Sequence, residues 1–148
     1  MNHPAELAIL AFLDKAAKGT AKVDKSIVDK VAEDVKDAMS RQFSGGTSRK
    51  DFRLRMSNIG RKKCQLWFDK NSPEHKEPMS PYFLINMMLG DIVEAVFKGI
   101  MRAANVKFTD SGQVTLKTKH ADIKGEYDMI LDDKVDDIKS ASSWSYDN

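Results

Sequence analysis

"GEYDMILDDKVDDIKSAS", Gly125–Ser142, places six acidic residues among eighteen: Glu126, Asp128, Asp132, Asp133, Asp136 and Asp137. Apolar residues alternate with the charges, the period of a strand that buries one face. The tightest connection makes Asp132-Asp133 the two loop residues of a hairpin, with Leu131 facing Lys134, Asp128 facing Asp137 and Glu126 facing Lys139. In this register Glu126, Asp128 and Ile130 share a face with Val135, Asp137 and Lys139. Tyr127, Met129, Leu131 and Ile138 point the other way, toward a core. A slip of one residue would reverse every side chain.

Carboxylates directly opposite on a sheet stand roughly 4.5–5.5 Å apart at Cβ and repel. Either a proton on one partner or a divalent cation between hard oxygens offsets that repulsion. Lys139, two residues after Asp137, adds an ammonium on the same face. Metal and lysine together suit a transition state that gathers negative charge on phosphoryl oxygens. The tripeptide Asp-x-Lys by itself reads as solvated surface.

Composition narrows the classes. The 148 residues are 41% hydrophobic and 31% charged, one ordinary soluble domain, and a net charge of +2 leaves polyanion binding to local patches. A single cysteine, Cys64, excludes an iron–sulfur cluster and an internal disulfide, and suits a reducing cytoplasm. Glu6 and Asp14 flank the first apolar run, unlike a signal peptide, and no segment reaches the roughly twenty apolar residues that span a bilayer. No membrane partner is expected.

Working back along the chain, residues 5–18 and 24–43 read as helices. Asp24 offers a cap to the second, and Ile27, Val31, Val35 and Met39 form its apolar stripe. The polar break "SGGTSRKD", 44–51, sets residues 1–50 apart as an N-terminal helical extension, with 51–148 as the main body. Ser57 is the expected N-cap of a helix through "CQLWFDK", which Pro73 follows. Ser80 and Pro81 open the longest helix, apolar almost all round to Met101 and so expected to be largely buried. "VKFT", "DSG" and "QVTLKTK" then read as two strands and their turn, followed by strands in "ADIKGEYDMIL" and "KVDDIKSAS". The fold class is α/β, seen as α+β in the part present: helices, then a small mainly antiparallel sheet.

Within the long helix Glu94 lies among Val93, Ala95, Val96 and Phe97, one turn after Gly90. The glycine costs roughly 1 kcal/mol against alanine, which suggests close approach of a strand. Glu94 either pairs with Lys98 at i+4 or joins a site.

Together "LGDIVEAVF", "IKGEYDMIL" and "VDDIKSAS" resemble the PD-(D/E)XK nuclease superfamily, in its RecB-like and phage exonuclease branch. The matching residues are Gly90 and Glu94, then Gly125 and Asp128, then Asp137, Ile138 and Lys139, over roughly residues 80–148. "SNIGRKKCQLWFDKN" is similar, less specifically, to the region before the core in phage members. The resemblance implies a metal-dependent DNA nuclease, an exonuclease of recombination or replication, on a restriction-endonuclease-like core. Asp128 and Asp137 would hold Mg²⁺ or Mn²⁺ with the backbone carbonyl of Ile138. Glu94 would complete that site or support a second metal, and Lys139 would orient or activate the attacking water and stabilise the developing charge. Glu126 would stand behind them. The family's hairpin continues into a helix, a strand and a glutamine–tyrosine helix, so the core is expected to be C-terminally incomplete after the Asp-x-Lys strand. The alternative is a non-catalytic DNA-binding or assembly module on the same fold.

The implied partners are DNA and either further copies of the chain or a recombination protein, in the host cytoplasm for a phage product. For DNA, "RLRMSNIGRKK" supplies Arg53, Arg55, Arg61, Lys62 and Lys63, which read equally as a phosphate-binding face or a solvated helix start. Trp67 and Phe68 read as core, Cys64 as a buried thiol, and Trp144 and Tyr146 as either substrate-facing or core. His3, His75 and His120 have no metal-ligand spacing.

Overall fold

The computed structural model describes residues 3, 5–43, 52, 54–75 and 77–139. They form a mixed α+β arrangement of four helices and two separate two-stranded antiparallel sheets. Helices α1 (Glu6–Ala17), α2 (Lys25–Phe43), α3 (Lys63–Asn71) and α4 (Pro81–Ala103) come first. Strands β1 (Gly112–Lys117), β2 (Asp122–Tyr127), β3 (Met129–Leu131) and β4 (Lys134–Asp136) follow.

Helix α4 begins where its sequence demands. The Ser80 hydroxyl accepts the Phe83 N–H at 3.2 Å, and Pro81 occupies the first turn, where a missing N–H does no harm. Its C-terminal half is the beam of the molecule: Ala95, Lys98, Gly99 and Met101 are buried. Met101, fully enclosed, forms the core with Ala5, Met129 and Leu131. Phe97, Val106, Phe108 and Ile138 pack around that cluster. The core therefore joins α4 to the β3–β4 hairpin and to the start of α1. The helical segment read as an extension is thus built into the same core.

Helix α2 lies along α4, and at their crossing an added Cβ on Gly99 would run into the Val31 side chain. Gly99 is the glycine that permits close approach. Gly90, expected to do so, has open space around it. The buried end of α2 is formed by Ala38 and Gln42, and Met39 is exposed. At about 100° per residue, Ala38 lies about 20° from Ile27 around the helix, whereas Met39 has drifted about 120°.

The first half of α4 departs from the expected burial: Tyr82 is 83% exposed, and Phe83, Ile85 and Leu89 also face solvent. Among the described residues, α2 covers one side of the helix and its core contacts are confined to the C-terminal half. Ser57 does not cap α3 but lies within a 3₁₀ turn, Met56–Asn58, and Lys62 occupies the cap position. Gly60, at φ 89°, separates the two.

The hairpin register is the one the alternation specifies. Met129 pairs with Asp136, Ile130 with Val135 and Leu131 with Lys134. Asp132 and Asp133 both take left-handed backbone angles (φ 47° and 61°), as a two-residue type I′ turn requires. "VKFT" does not become a strand. Val106 and Phe108 turn into the core, Arg102 stacks 5.1 Å over the Phe108 ring, and Asp110 pairs with Arg102 instead of opening a turn. Only Thr109 forms a bridge, exchanging hydrogen bonds of 2.9 and 3.0 Å with Ile130. The second hairpin pairs β1 with β2, from Gly112–Tyr127 to Lys117–Asp122.

Non-glycine residues at positive φ carry a steric cost even when the side chain is as small as aspartate. Replacing Asp132-Asp133 by Asn-Gly is expected to stabilise the fold by about 0.5–1 kcal/mol in urea denaturation, with an unchanged m-value.

Candidate active site

Asp128 stands at the break between β2 and β3. Upstream the chain pairs with β1, downstream with β4, so one residue separates two ribbons. The break explains one departure from the expected register: Glu126 faces Gln113 of β1, whose amide donates to its carboxylate at 3.2 Å, and not Lys139. It also leaves Asp128 without a ladder partner. Its Oδ2 instead accepts the Ile138 N–H at 2.8 Å, which fastens the segment after β4 against the strand break. Ile138 thus enters the site through its N–H.

Asp137 and Lys139 follow directly. The Lys139 ammonium lies 3.0 Å from Oδ1 and 2.8 Å from Oδ2 of Asp137. Asp128 Oδ2 and the Ile138 N–H place Asp137 next to the Asp128 carboxyl in the chain's return path. Burial raises the Asp128 carboxyl above the usual aspartate range, and the Asp137 contact and the negative charges of Glu94 and Asp137 raise it further. The neighbouring Asp128 carboxyl, and next the Lys139 ammonium, hold Asp137 below that range. The two neighbouring carboxyls are thus pushed in opposite directions, Asp128 toward its neutral form and Asp137 toward its anion. Lys139 is itself raised above the usual lysine range, chiefly by its hydrogen bond to Asp137. It remains a cation and a donor at neutral pH.

Glu94 comes from α4. Its carboxylate accepts from Lys98 one turn on, so the i+4 pair is formed. Lys98 keeps only 6% of its side chain exposed, and so buried an ammonium requires a partner. The negative charge of Glu94 contributes in a minor way to the upward shifts of Asp128 and Lys139. Glu94 and Asp128 line an open cleft of about 790 Å³ between α2, α4 and the β1–β2 hairpin. Asp137 and Lys139 lie outside its wall. Asp91, one turn before Glu94, also lines it, held at 2.9 Å by both Arg41 and Gln42 of α2. The i, i+3 spacing of Asp91 and Glu94 was the signal for that residue.

The donors are hard oxygens of the kind that suit Mg²⁺ or Mn²⁺. Among the described residues, however, no three histidine, cysteine, aspartate or glutamate side chains come together as a closed metal group. The carboxylates form an electrostatic set in which Glu94 and Asp137 are each occupied by a lysine.

The basic stretch lies elsewhere. Arg55 bridges to Lys124 of β2, while Arg61, Lys62 and Lys63 are exposed before and at the start of α3, with Arg61 3.9 Å from Asp69. Arg53 lies outside the described residues, as do Trp144 and Tyr146. Met56 fills the space above Gly125, which ties this stretch to β2 three residues before Asp128. Cys64 is exposed, not buried. Trp67 and Phe68 are each 57% exposed, stacked edge-to-face at 5.2 Å, and not in the core. α3 is short and turns only Leu66 and Asp69 inward. His3 approaches Asp136 at 3.2 Å. None of the described helices is long and apolar enough to cross a membrane.

Two consequences are measurable. The raised Asp128 contributes stability that is present below the ordinary aspartate range and lost as pH rises through its raised pKa. The depressed Asp137 does the reverse, losing its contribution as pH falls through its lowered pKa. Asp128→Asn keeps an acceptor for the Ile138 N–H without the charge. Its Tm should exceed that of the wild type at pH 7, and the gain should vanish near pH 3, as scanning calorimetry would record. Lys98→Ala should lose about 1–3 kcal/mol by leaving Glu94 unpaired, and the double variant Lys98→Met/Glu94→Gln should recover most of it in chemical denaturation.

Comparison of the chain with protein-family models, with curated proteins and with solved structures returned no match.

Proposed function

We propose that the chain is a metal-dependent DNA nuclease of the PD-(D/E)XK type, hydrolysing phosphodiester bonds as a phage-type exonuclease does. One observation carries the reading: Asp128 accepts the Ile138 N–H, which brings up the flanking Asp137–Lys139 ion pair, and Glu94 of α4 lines the same cleft as Asp128. Three carboxylates and one ammonium in one neighbourhood match the chemistry that phosphodiester hydrolysis requires.

In this reading Glu94, Asp128, Asp137 and the Ile138 carbonyl hold Mg²⁺ or Mn²⁺. The bound ion supplies Lewis-acid polarisation and a water of lowered pKa. Lys139 orients the attacking water and stabilises the charge that develops on the phosphoryl oxygen, a role suited to a lysine that Asp137 keeps protonated. The Ile138 N–H fixes the direction of the Asp128 carboxylate. Arg53, Arg55, Arg61, Lys62 and Lys63 neutralise phosphates away from the reacting bond.

A second reading, a non-catalytic DNA-binding or assembly module, draws on a specific observation. Glu94 and Asp137 already have lysine partners, and no closed metal group forms among the described residues.

Labelled linear and circular duplex DNA, incubated with and without Mg²⁺, separates the two. Metal-dependent cleavage that falls at least about 100-fold in both Lys139→Ala and Asp128→Asn is the expected result. Degradation of linear DNA alone marks an exonuclease. DNA binding with no cleavage by the wild type would favour the module, and cleavage insensitive to both substitutions would refute the assigned site.

A further inference from the structure

Helix α3 carries an outward face whose composition the catalytic reading leaves unused. Lys63, Trp67 and Lys70 follow one another at i, i+4 and i+7, and all three are exposed. Phe68 stands beside Trp67 with its ring perpendicular, and both rings keep 57% of their surface. Lys62 and Arg61 continue the positive charge off the start of the helix. Lys62, Lys63 and Lys70 have no ion-pair partner among the described residues, whereas Arg61 is 3.9 Å from Asp69.

Two large exposed rings on one nine-residue helix are a poor use of apolar surface unless something covers them. The charges identify the cover. A hydrophobic protein partner would have to desolvate Lys63 and Lys70, which bracket Trp67 one turn before and one turn after. A phosphate-bearing strand gains from the same lysines. Rings flanked by free cations are the arrangement that receives unpaired bases, since every base offers a face to stack on and the backbone follows the cations. Bases within a duplex are already stacked on each other and cannot use it.

We propose that the Lys63–Trp67–Lys70 face of α3 binds single-stranded nucleic acid, with Trp67 and Phe68 stacking on unpaired bases. The face is connected to the candidate active site through the chain. α3 follows the 3₁₀ turn whose Met56 covers Gly125, and Leu54 accepts the Lys124 N–H at 3.3 Å. A strand lying on α3 is thereby held by the same element that leads into Asp128. The assignment names the strand form of the substrate and rests on the nuclease reading only for the choice of DNA over RNA.

The test uses the full chain in EDTA, so that binding is read without cleavage. In a Trp144→Phe background Trp67 is the one tryptophan, and its emission reports the face directly. An oligothymidylate of about a dozen nucleotides should quench it, and a duplex of equal length should not. By anisotropy of a labelled oligothymidylate, Trp67→Ala should weaken binding roughly ten-fold or more, with its melting curve unchanged because the side chain is exposed. Lys63→Gln/Lys70→Gln should lower the slope of log affinity against log salt by about one to one and a half.

Equal affinities for Trp67→Ala and its parent, or equal quenching by duplex and single strand, would overturn the proposal. So would a concentration-dependent blue shift without nucleic acid, which would assign the face to a second copy of the chain. Failure of the nuclease reading shows separately, as absent cleavage with these binding results intact.

Discussion

The Asp128 carboxylate accepting the Ile138 N–H at 2.8 Å is the contact on which the rest of the site depends. At Asp128 the chain leaves one two-stranded ribbon for another, and a strand break exposes backbone that must find partners elsewhere. The aspartate side chain supplies one across the gap. In doing so it holds Asp137 and Lys139 beside the break, beyond the last paired residue of β4. Among the described residues, the packing of Ile138 against the core and the His3–Asp136 contact are what else holds the tail of the hairpin.

The helix behind this arrangement has a different logic. α4 is anchored at its C-terminal half, where Met101 is enclosed and Gly99 lets α2 approach. Glu94 sits where the buried half gives way to the exposed one. Its partner Lys98 is the deeper of the two, so the carboxylate is what keeps an ammonium inside the molecule. A group that serves both a structural cation and an electrostatic cluster is constrained twice.

Charge is segregated across the molecule. Asp34, Asp37, Asp91, Glu94, Asp110, Glu126 and Asp128 line the cleft against only Lys30, Arg41 and Lys98. The basic stretch from Arg55 to Lys63 lies outside it and is joined to β2 by Met56 and the Arg55–Lys124 bridge. A polyanion could approach the basic side without entering the acidic one, and phosphate reaching Asp128 would need a cation there. The near-zero net charge of the chain conceals this division.

Sequence alone determined what depends on neighbours within a few residues. Alternation set the Leu131–Lys134 register, and Ser80 with Pro81 set the start of α4, because side-chain period and caps are local properties. The proximity of Asp128, Asp137 and Lys139 followed from that register. Tertiary structure decided which faces found partners. Gly99 meets α2 while Gly90 does not, Ala38 is buried while Met39 is not, and Trp67 stays in solvent although its composition reads as core. It also decided that "VKFT" would bury Val106 and Phe108 rather than pair, and that the strand would break at Asp128 and change partners. Period tells which residues share a face. Only the packing of distant segments tells what that face touches, because burial depends on contacts that the local chain does not contain.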